Sequence, residues 1–499
     1  MPEGTAAKAQ PSFFRNVAML LTGNLLARVC GLALFPIITR LFTPEALGAF
    51  AAVESVLMVL TSVCHLRYPM AILLPQEERD VDGLMLASLA AILGFSLLLQ
   101  AATPLAAEPL ARALNIAPHA WLLHWVPAAV FLSGLGLALT QYSLRSKAFR
   151  GLAAARVGNT AGERGLAVIL GFLAQTGVGA LLVAKFAGLA LQNAILALAT
   201  GPRRLGALFS AGSRERMVPM ASRYRRFALF SFSDLVLTGA LQLPVLILAM
   251  AFSPAAAGFF ALCRRVLREP LNLLGQSLYR AYSERAAEYL REGRPLGAFT
   301  ERFMRLMIDL SLVPLLLVAL GGEELFVFVF GAEWARAGAF ATLLCGFYAV
   351  NFMGMPLGSL FDLQERQKER TGFDLCFLAA SAAGLLAGAA LEDDTWAVGL
   401  FALLCAGVLL VRLRYLHGLA GVDDSRWWRG VALRTVRSLP LALPLAAVKA
   451  WYPEPLAVFL ATGFGAAAHL ALVAATDETL RAKVAARLGK TGPGRSKTP

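Results

Sequence analysis

The chain has 499 residues, 58% of them hydrophobic and only 16% charged, with mean hydropathy +0.64 and a formal net charge of +14. A soluble domain of average make-up is about 45–50% apolar and about 25% charged, so an ordinary soluble protein is excluded and a polytopic membrane protein is described. The positive balance falls in short loops between apolar runs, where topology explains it, and no nucleic-acid partner is expected.

The opening MPEGTAAKAQPSFFRN is polar and leads into an apolar run without a small-residue cleavage site, so no cleaved signal peptide is expected. A helical span needs about 20 apolar residues. By that measure the chain holds fourteen candidates: residues 17–38, 46–65, 84–107, 121–141, 153–174, 179–199, 227–250, 255–278, 303–320, 337–360, 372–390, 395–412, 429–448 and 454–475.

With the N-terminus in the cytoplasm, the inside loops carry Arg145, Lys147 and Arg150, the arginine-rich run 201–226, Arg280 to Arg294, Arg366 to Arg370, and Arg412 to Arg429. The outside loops carry little beyond Arg40, Arg112, Arg336 and Lys449, plus the acidic Glu392–Asp394. This bias places both termini in the cytoplasm. It also divides the long run after Arg156 into two spans with a turn at Gln175–Gly179, because a single span would put the 201–226 loop outside. No loop is long enough to form a domain. The inside segment Ser283–Thr300 is expected to be an amphipathic surface helix, and the tail after Asp477 a helix followed by a disordered end.

Around the first span boundary, FPIITRLFTPEALGAFAA has Pro36 where a helix would kink, then Thr43 and Pro44 as an N-cap and first helical position. The pattern returns as LPVLILAMAFSPAAAGFFAL, with Pro244, Pro254, Gly258 and Phe260 answering Pro36, Pro44, Gly48 and Phe50. An even number of spans separates the copies, so the repeat is parallel. The resulting fold class is all-α: an N-lobe of spans 1–6 (1–226), a C-lobe of spans 7–12 (227–420), two further spans (421–476) and a cytoplasmic tail (477–499).

The six cysteines lie in or beside apolar runs without CxxC spacing and read as small buried side chains. His119 and His124 are five apart, poor helical ligand spacing, so no metal site is expected. Gly489–Thr491 resembles the end of a P-loop, but Val484 stands where its first glycine is needed, and no strand precedes it. No catalytic residues and no cofactor are expected.

Charges within spans carry the functional expectation, since a charge at a helix centre costs about 2.5–3.5 kcal/mol even on the mild insertion scale. Arg28 lies in span 1, Glu54 in span 2, Glu163 and Arg164 in span 5, and Lys185 in span 6. Asp234 lies in span 7, Arg264, Arg265, Arg268 and Glu269 in span 8, and Asp309 in span 9. The cations Arg28, Arg164, Lys185, Arg264, Arg265 and Arg268, with Glu54, are the candidate substrate-binding set. Glu163, Asp234 and Asp309 are candidates for coupling to H⁺ or Na⁺. Glu54 and Arg264 each follow their repeat glycine by six residues and are expected to pair when the cavity between the lobes closes there. The alternative for all these charges is internal structural pairing.

Several stretches, in order, carry a resemblance: TRLFTPEALGAFAAVES, LRYPMAILLP, YRRFALFSFSDLV, ALQLPVLILAMAFSPAAAGFFALCRRVLREPL, VFGAEWARAGAF and MPLGSLFDLQERQK. They resemble the bacterial polysaccharide flippases of O-antigen and capsule type, within the multidrug/oligosaccharidyl-lipid/polysaccharide exporter superfamily. The resemblance implies a MATE-like fold with two six-helix lobes around a cationic cavity, in the bacterial inner membrane. It implies export of an undecaprenyl-pyrophosphate-linked oligosaccharide by alternating access, with membrane lipid and polysaccharide polymerase machinery as partners. Arg28, Lys185 and Arg264 are the residues it points to for the pyrophosphate. The two extra spans are similar to those of lipid II flippases, which is the second reading. A cation-coupled multidrug antiporter and a polysaccharide polymerase or ligase follow.

Overall fold

The computed structural model describes residues 23, 25–174, 177–452 and 454–476. The start of the first expected span, the P-loop-like Gly489–Thr491 and the expected tail helix lie outside the described residues. Among the described residues the secondary structure is helical throughout, with no strand.

The first helices follow the sequence closely. Residues 25–33 (α1) are helical, Leu34 interrupts the helix, and α2 (Phe35–Leu41) carries Pro36 in its first turn. Thr43 then caps α3 (Pro44–Cys64), its hydroxyl accepting from the Ala46 N–H at 3.3 Å, with Pro44 in the first turn. A short α4 (Tyr68–Ala71) follows Leu66 and Arg67, both with positive φ. The spanning helix α5 (Glu78–Ala113) leads through a 3₁₀ segment (Ala117–Trp125) into α6 (Val126–Arg145).

The doubtful run after Arg156 forms two helices, α7 (Phe149–Ala174) and α8 (Val178–Thr200). Gly177, at φ +55°, closes the turn between them, although Gln175 and Thr176 lie outside the described residues. The arginine-rich loop folds as α9 (Pro202–Leu208) and α10 (Ala211–Arg223), ahead of α11 (Arg225–Ala251).

In the second half, α12 (Pro254–Arg291) is one helix of 38 residues. It absorbs residues 283–291, the first half of the segment expected to be a separate surface helix. Nothing between Leu278 and Arg291 breaks the backbone. The helix ends only where Gly293 takes φ +65° and the Arg294 N–H reaches back to the Tyr289 carbonyl at 2.9 Å.

Next come α13 (Gly297–Phe330), α14 (Ala335–Gly354), a short α15 (Ser359–Leu363), α16 (Gln367–Ala390), α17 (Asp394–Ala420), α18 (Asp424–Trp451) and α19 (Pro455–Thr476). Every expected span from the second onward thus has its helix. Nine of the described helices are long and apolar enough to cross a membrane, or ten if the bent pair Asp424–Pro440 and Ala442–Trp451 is one span. Pro440 sits at that bend.

The described residues divide into two compact units. One runs to Leu262 and includes Ala389–Asp394; the other holds Cys263–Gly388 and continues from Thr395. The division by packing therefore falls inside α12, whereas the lobe boundaries 1–226 and 227–420 rest on the sequence repeat.

Small residues let backbones approach within each unit. In the first, Gly48 and Gly258 meet reciprocally. A Cβ on Gly48 would lie 1.7 Å from the Pro254 carbonyl oxygen, and one on Gly258 would lie 2.4 Å from that of Pro44. The two equivalent glycines of the repeat are thus packed on each other. In the second unit, Gly322 on α13 packs against Gly338 on α14, and Gly388 on α16 packs against Ala397 on α17.

Candidate functional site

The intramembrane charges of the first unit converge on one place. Helices α7 and α8 pack closely because Gly188 meets Gly162, and a Cβ on Gly188 would lie 2.8 Å from the Asn159 carbonyl oxygen and from Glu163 Cβ. That approach lets Lys185 on α8 reach across the seam. Its Nζ lies 2.7 Å from Glu54 Oε1 on α3 and 3.3 Å from Glu163 Oε2 on α7. Arg164 completes the group, 3.2 Å from Glu163 Oε1, with its guanidinium over the Phe35 ring.

All four side chains are 16% exposed or less. Two carboxylates and two cations sum to zero, which is what low-dielectric burial requires of charges that stay ionised. One turn further along the seam, the Asn159 amide donates to Gln192 Oε1 at 2.5 Å. The helix carrying Arg28 packs beside this group, with Gly31 against Thr160 and Gly23 against Ala153 on α7. Arg28 itself is half-buried.

The remaining sequence-named residues lie elsewhere. Asp234 on α11 pairs with Arg67 at 3.3 Å, beside the buried His65. In the second unit Asp309 on α13 receives two hydrogen bonds from Arg434 on α18, at 2.5 and 2.8 Å, and the backbone carbonyl of Asp309 meets His469 on α19. Asp309 therefore ties the last two helices to α13. Arg264, Arg265 and Arg268 lie half-buried on α12 in the second unit, and Arg268 lines a cavity there. Glu54 is engaged by Lys185 inside its own unit.

Residues that sequence reasoning missed are the polar partners of these groups. Asn159 and Gln192 extend the α7–α8 seam, Ser55 donates to the buried Gln242 at 3.3 Å, and Arg67 holds Asp234. Asn159 and Glu163 are four apart on one helix face, a spacing that could have shown the seam. Among the described residues no group of three or more His, Cys, Asp or Glu is placed to hold a metal ion.

Comparison with solved structures agrees with this helical architecture. A lipid II flippase, MurJ, in an inward closed conformation is similar at TM-score 0.67 and 9% identity, covering 92% of this chain and 99% of its own. An inward-facing multidrug resistance MATE family transporter of the MOP superfamily is similar at TM-score 0.54 and 16% identity, covering 79% of this chain and 95% of its own. At such identities these likenesses speak for the fold alone, a helical fold similar to those of the flippase and the MATE transporter. No curated protein matches the chain by sequence. The family described as polysaccharide biosynthesis protein matches residues 37–338, more than half of the sequence. This polytopic membrane protein belongs to the polysaccharide biosynthesis protein family.

Proposed function

We propose that the chain is a flippase for an undecaprenyl-pyrophosphate-linked oligosaccharide. It would carry this cargo from the cytoplasmic to the periplasmic leaflet of the bacterial inner membrane by alternating access, for surface polysaccharide assembly. The observation that carries the reading is the family match over residues 37–338, joined to a buried, charge-balanced group within spanning helices.

Ions are kept in a membrane interior only where they do work or hold structure. In this reading Lys185 and Arg164 release their carboxylates to meet the pyrophosphate, together with Arg28, while Arg264, Arg265 and Arg268 are the cargo-binding candidates of the second unit. Glu54 and Glu163, losing their cations, then take up a proton or Na⁺. Glu163 is the strongest of the coupling-ion proposals because two cations contact it. Asp234 and Asp309 each pair with one arginine.

A lipid II flippase is the second reading, favoured by the nearly complete coverage of the flippase structure. Depletion of the protein separates the two. Cytoplasmic-leaflet accumulation of one complete lipid-linked oligosaccharide, identified by mass and by a non-permeant probe, supports the first. Accumulation of lipid II with lysis supports the second, and unchanged lipid-linked sugars overturn both.

A further inference from the structure

The connection between α8 and α11, residues 201–226 of the first unit, carries seven arginines against a single acid, Glu215. Two of the arginines are held by the neighbouring helix. Arg204 donates to Glu78, and Arg216 lies 3.5 Å from Asp80, both acids in the first turn of α5. Arg203, Arg214, Arg223, Arg225 and Arg226 are exposed, and among the described residues none of the five has a carboxylate at ion-pair distance.

Packing sets the depth of this segment. A Cβ on Gly83 would lie 2.8 Å from Arg216 Cβ, so α10 touches α5 at the residue before its apolar run, 84–107, begins. Ser213 and Met220, seven apart on one face of α10, are buried, and the Tyr68 hydroxyl donates to the Ala221 carbonyl at 3.4 Å. The helix is thereby fixed at the level where hydrocarbon gives way to headgroups, at the end that the positive-inside bias gives to the cytoplasm.

The outward side of the segment is not uniformly polar. Arg214 and Val218, four apart, share an exposed face, and Val218 is 67% exposed. Phe209, between α9 and α10, is 56% exposed. Apolar side chains set among unpaired cations at headgroup level are what an interfacial helix presents to a bilayer. Guanidinium groups suit phosphate oxygens, and α8 and α11 tether the segment to the membrane at both ends.

We propose that residues 201–226 form a docking surface for the headgroups of anionic phospholipids in the cytoplasmic leaflet. The five exposed arginines meet the phosphates, and Phe209 and Val218 enter the boundary between headgroups and acyl chains. The ligand is the bulk lipid of the bilayer, so the surface stands or falls apart from the transport reading.

The test uses the full chain in nanodiscs, with Val218→Cys carrying a polarity-sensitive dye in a background without Cys30 and Cys376. Raising phosphatidylglycerol from none to about a third of the lipid, at the expense of phosphatidylcholine, should shift the dye emission to the blue, and high salt should reverse the shift. Arg203→Gln, Arg214→Gln, Arg223→Gln, Arg225→Gln and Arg226→Gln together should abolish the response. The same five positions changed to Lys should keep it, because the charge is kept. Spin-labelled phosphatidylglycerol should prefer the wild type over the glutamine variant about fivefold or more. Arg285→Gln with Arg291→Gln, on the cytoplasmic end of α12, should leave the dye response as in wild type, and its loss there would overturn the proposal. So would the absence of a lipid-dependent shift, its survival in the glutamine variant, or its equal loss in the lysine variant. A shift that needs added polyglutamate instead of phosphatidylglycerol would assign the surface to an acidic protein and overturn the proposal as well.

Discussion

Lys185 touches two carboxylates at once, and that decides how substitutions around it should behave. Lys185→Met removes the cation that both buried acids contact, and losing one member of a buried ion pair costs about 3–5 kcal/mol. Thermal unfolding of the purified protein should show that loss, and transport should cease. Adding Glu54→Gln to Lys185→Met restores neutrality, so stability should recover substantially while transport does not. Equal instability of the single and double variants would count against a charge-balanced group.

His65 gives a pH expectation. Burial holds its imidazole below the ordinary 6.5, against the opposing pull of Asp234. A lowered pKa means that the unfolded chain takes up the proton first as pH falls. The stabilisation is therefore present above about 6.5 and declines as pH drops through the folded value. The slope of melting temperature between pH 6.5 and 5 should be shallower in His65→Gln. The presence of isolated charges in apolar runs was legible in the sequence; their partners, several of them on helices more than 100 residues away, were not.

At the scale of elements, the repeat glycines are the sharpest constraint. A side chain at Gly48 would overlap the Pro254 carbonyl, whereas Gly94 on α5 has nothing within 4 Å of its would-be Cβ. Gly48→Ala should therefore lower the yield of folded protein and its melting temperature by several degrees, while Gly94→Ala should be neutral or mildly stabilising. Size-exclusion profiles and thermal unfolding of the two variants check this. The spans, the Thr43 cap and the break between α7 and α8 were legible because hydrophobic length, capping chemistry and loop charge are local or additive signals. The continuity of α12 past the expected membrane boundary was not, because an exposed charged stretch can follow a spanning helix without any break in backbone geometry.

For the whole molecule, the loop charges assign Glu292 to the cytoplasm and Glu392 to the periplasm. In a background without the exposed Cys376, Glu392→Cys should react with a membrane-impermeant maleimide in intact cells, and Glu292→Cys only after permeabilisation. The reverse pattern would invert the topology, and labelling of both from outside would change the count of crossings. Extending the scan across every loop would decide between the fourteen spans read from the sequence and the nine or ten that pass by length and composition.

The sequence by itself determined that this is an all-helical membrane protein, where most of its apolar runs lie, that a proline–glycine pattern recurs in it, and which charges lie within apolar runs. Those properties follow from transfer free energies and local backbone chemistry, which depend on neighbouring residues alone. Only the tertiary structure decided that Glu54, Glu163, Arg164 and Lys185 form one group, that Asp309 fastens the final helices, and that Arg268 on α12 lines a cavity. The pairing of buried charges depends on helix rotation and close approach at glycines, and these are fixed by packing between segments far apart in the chain.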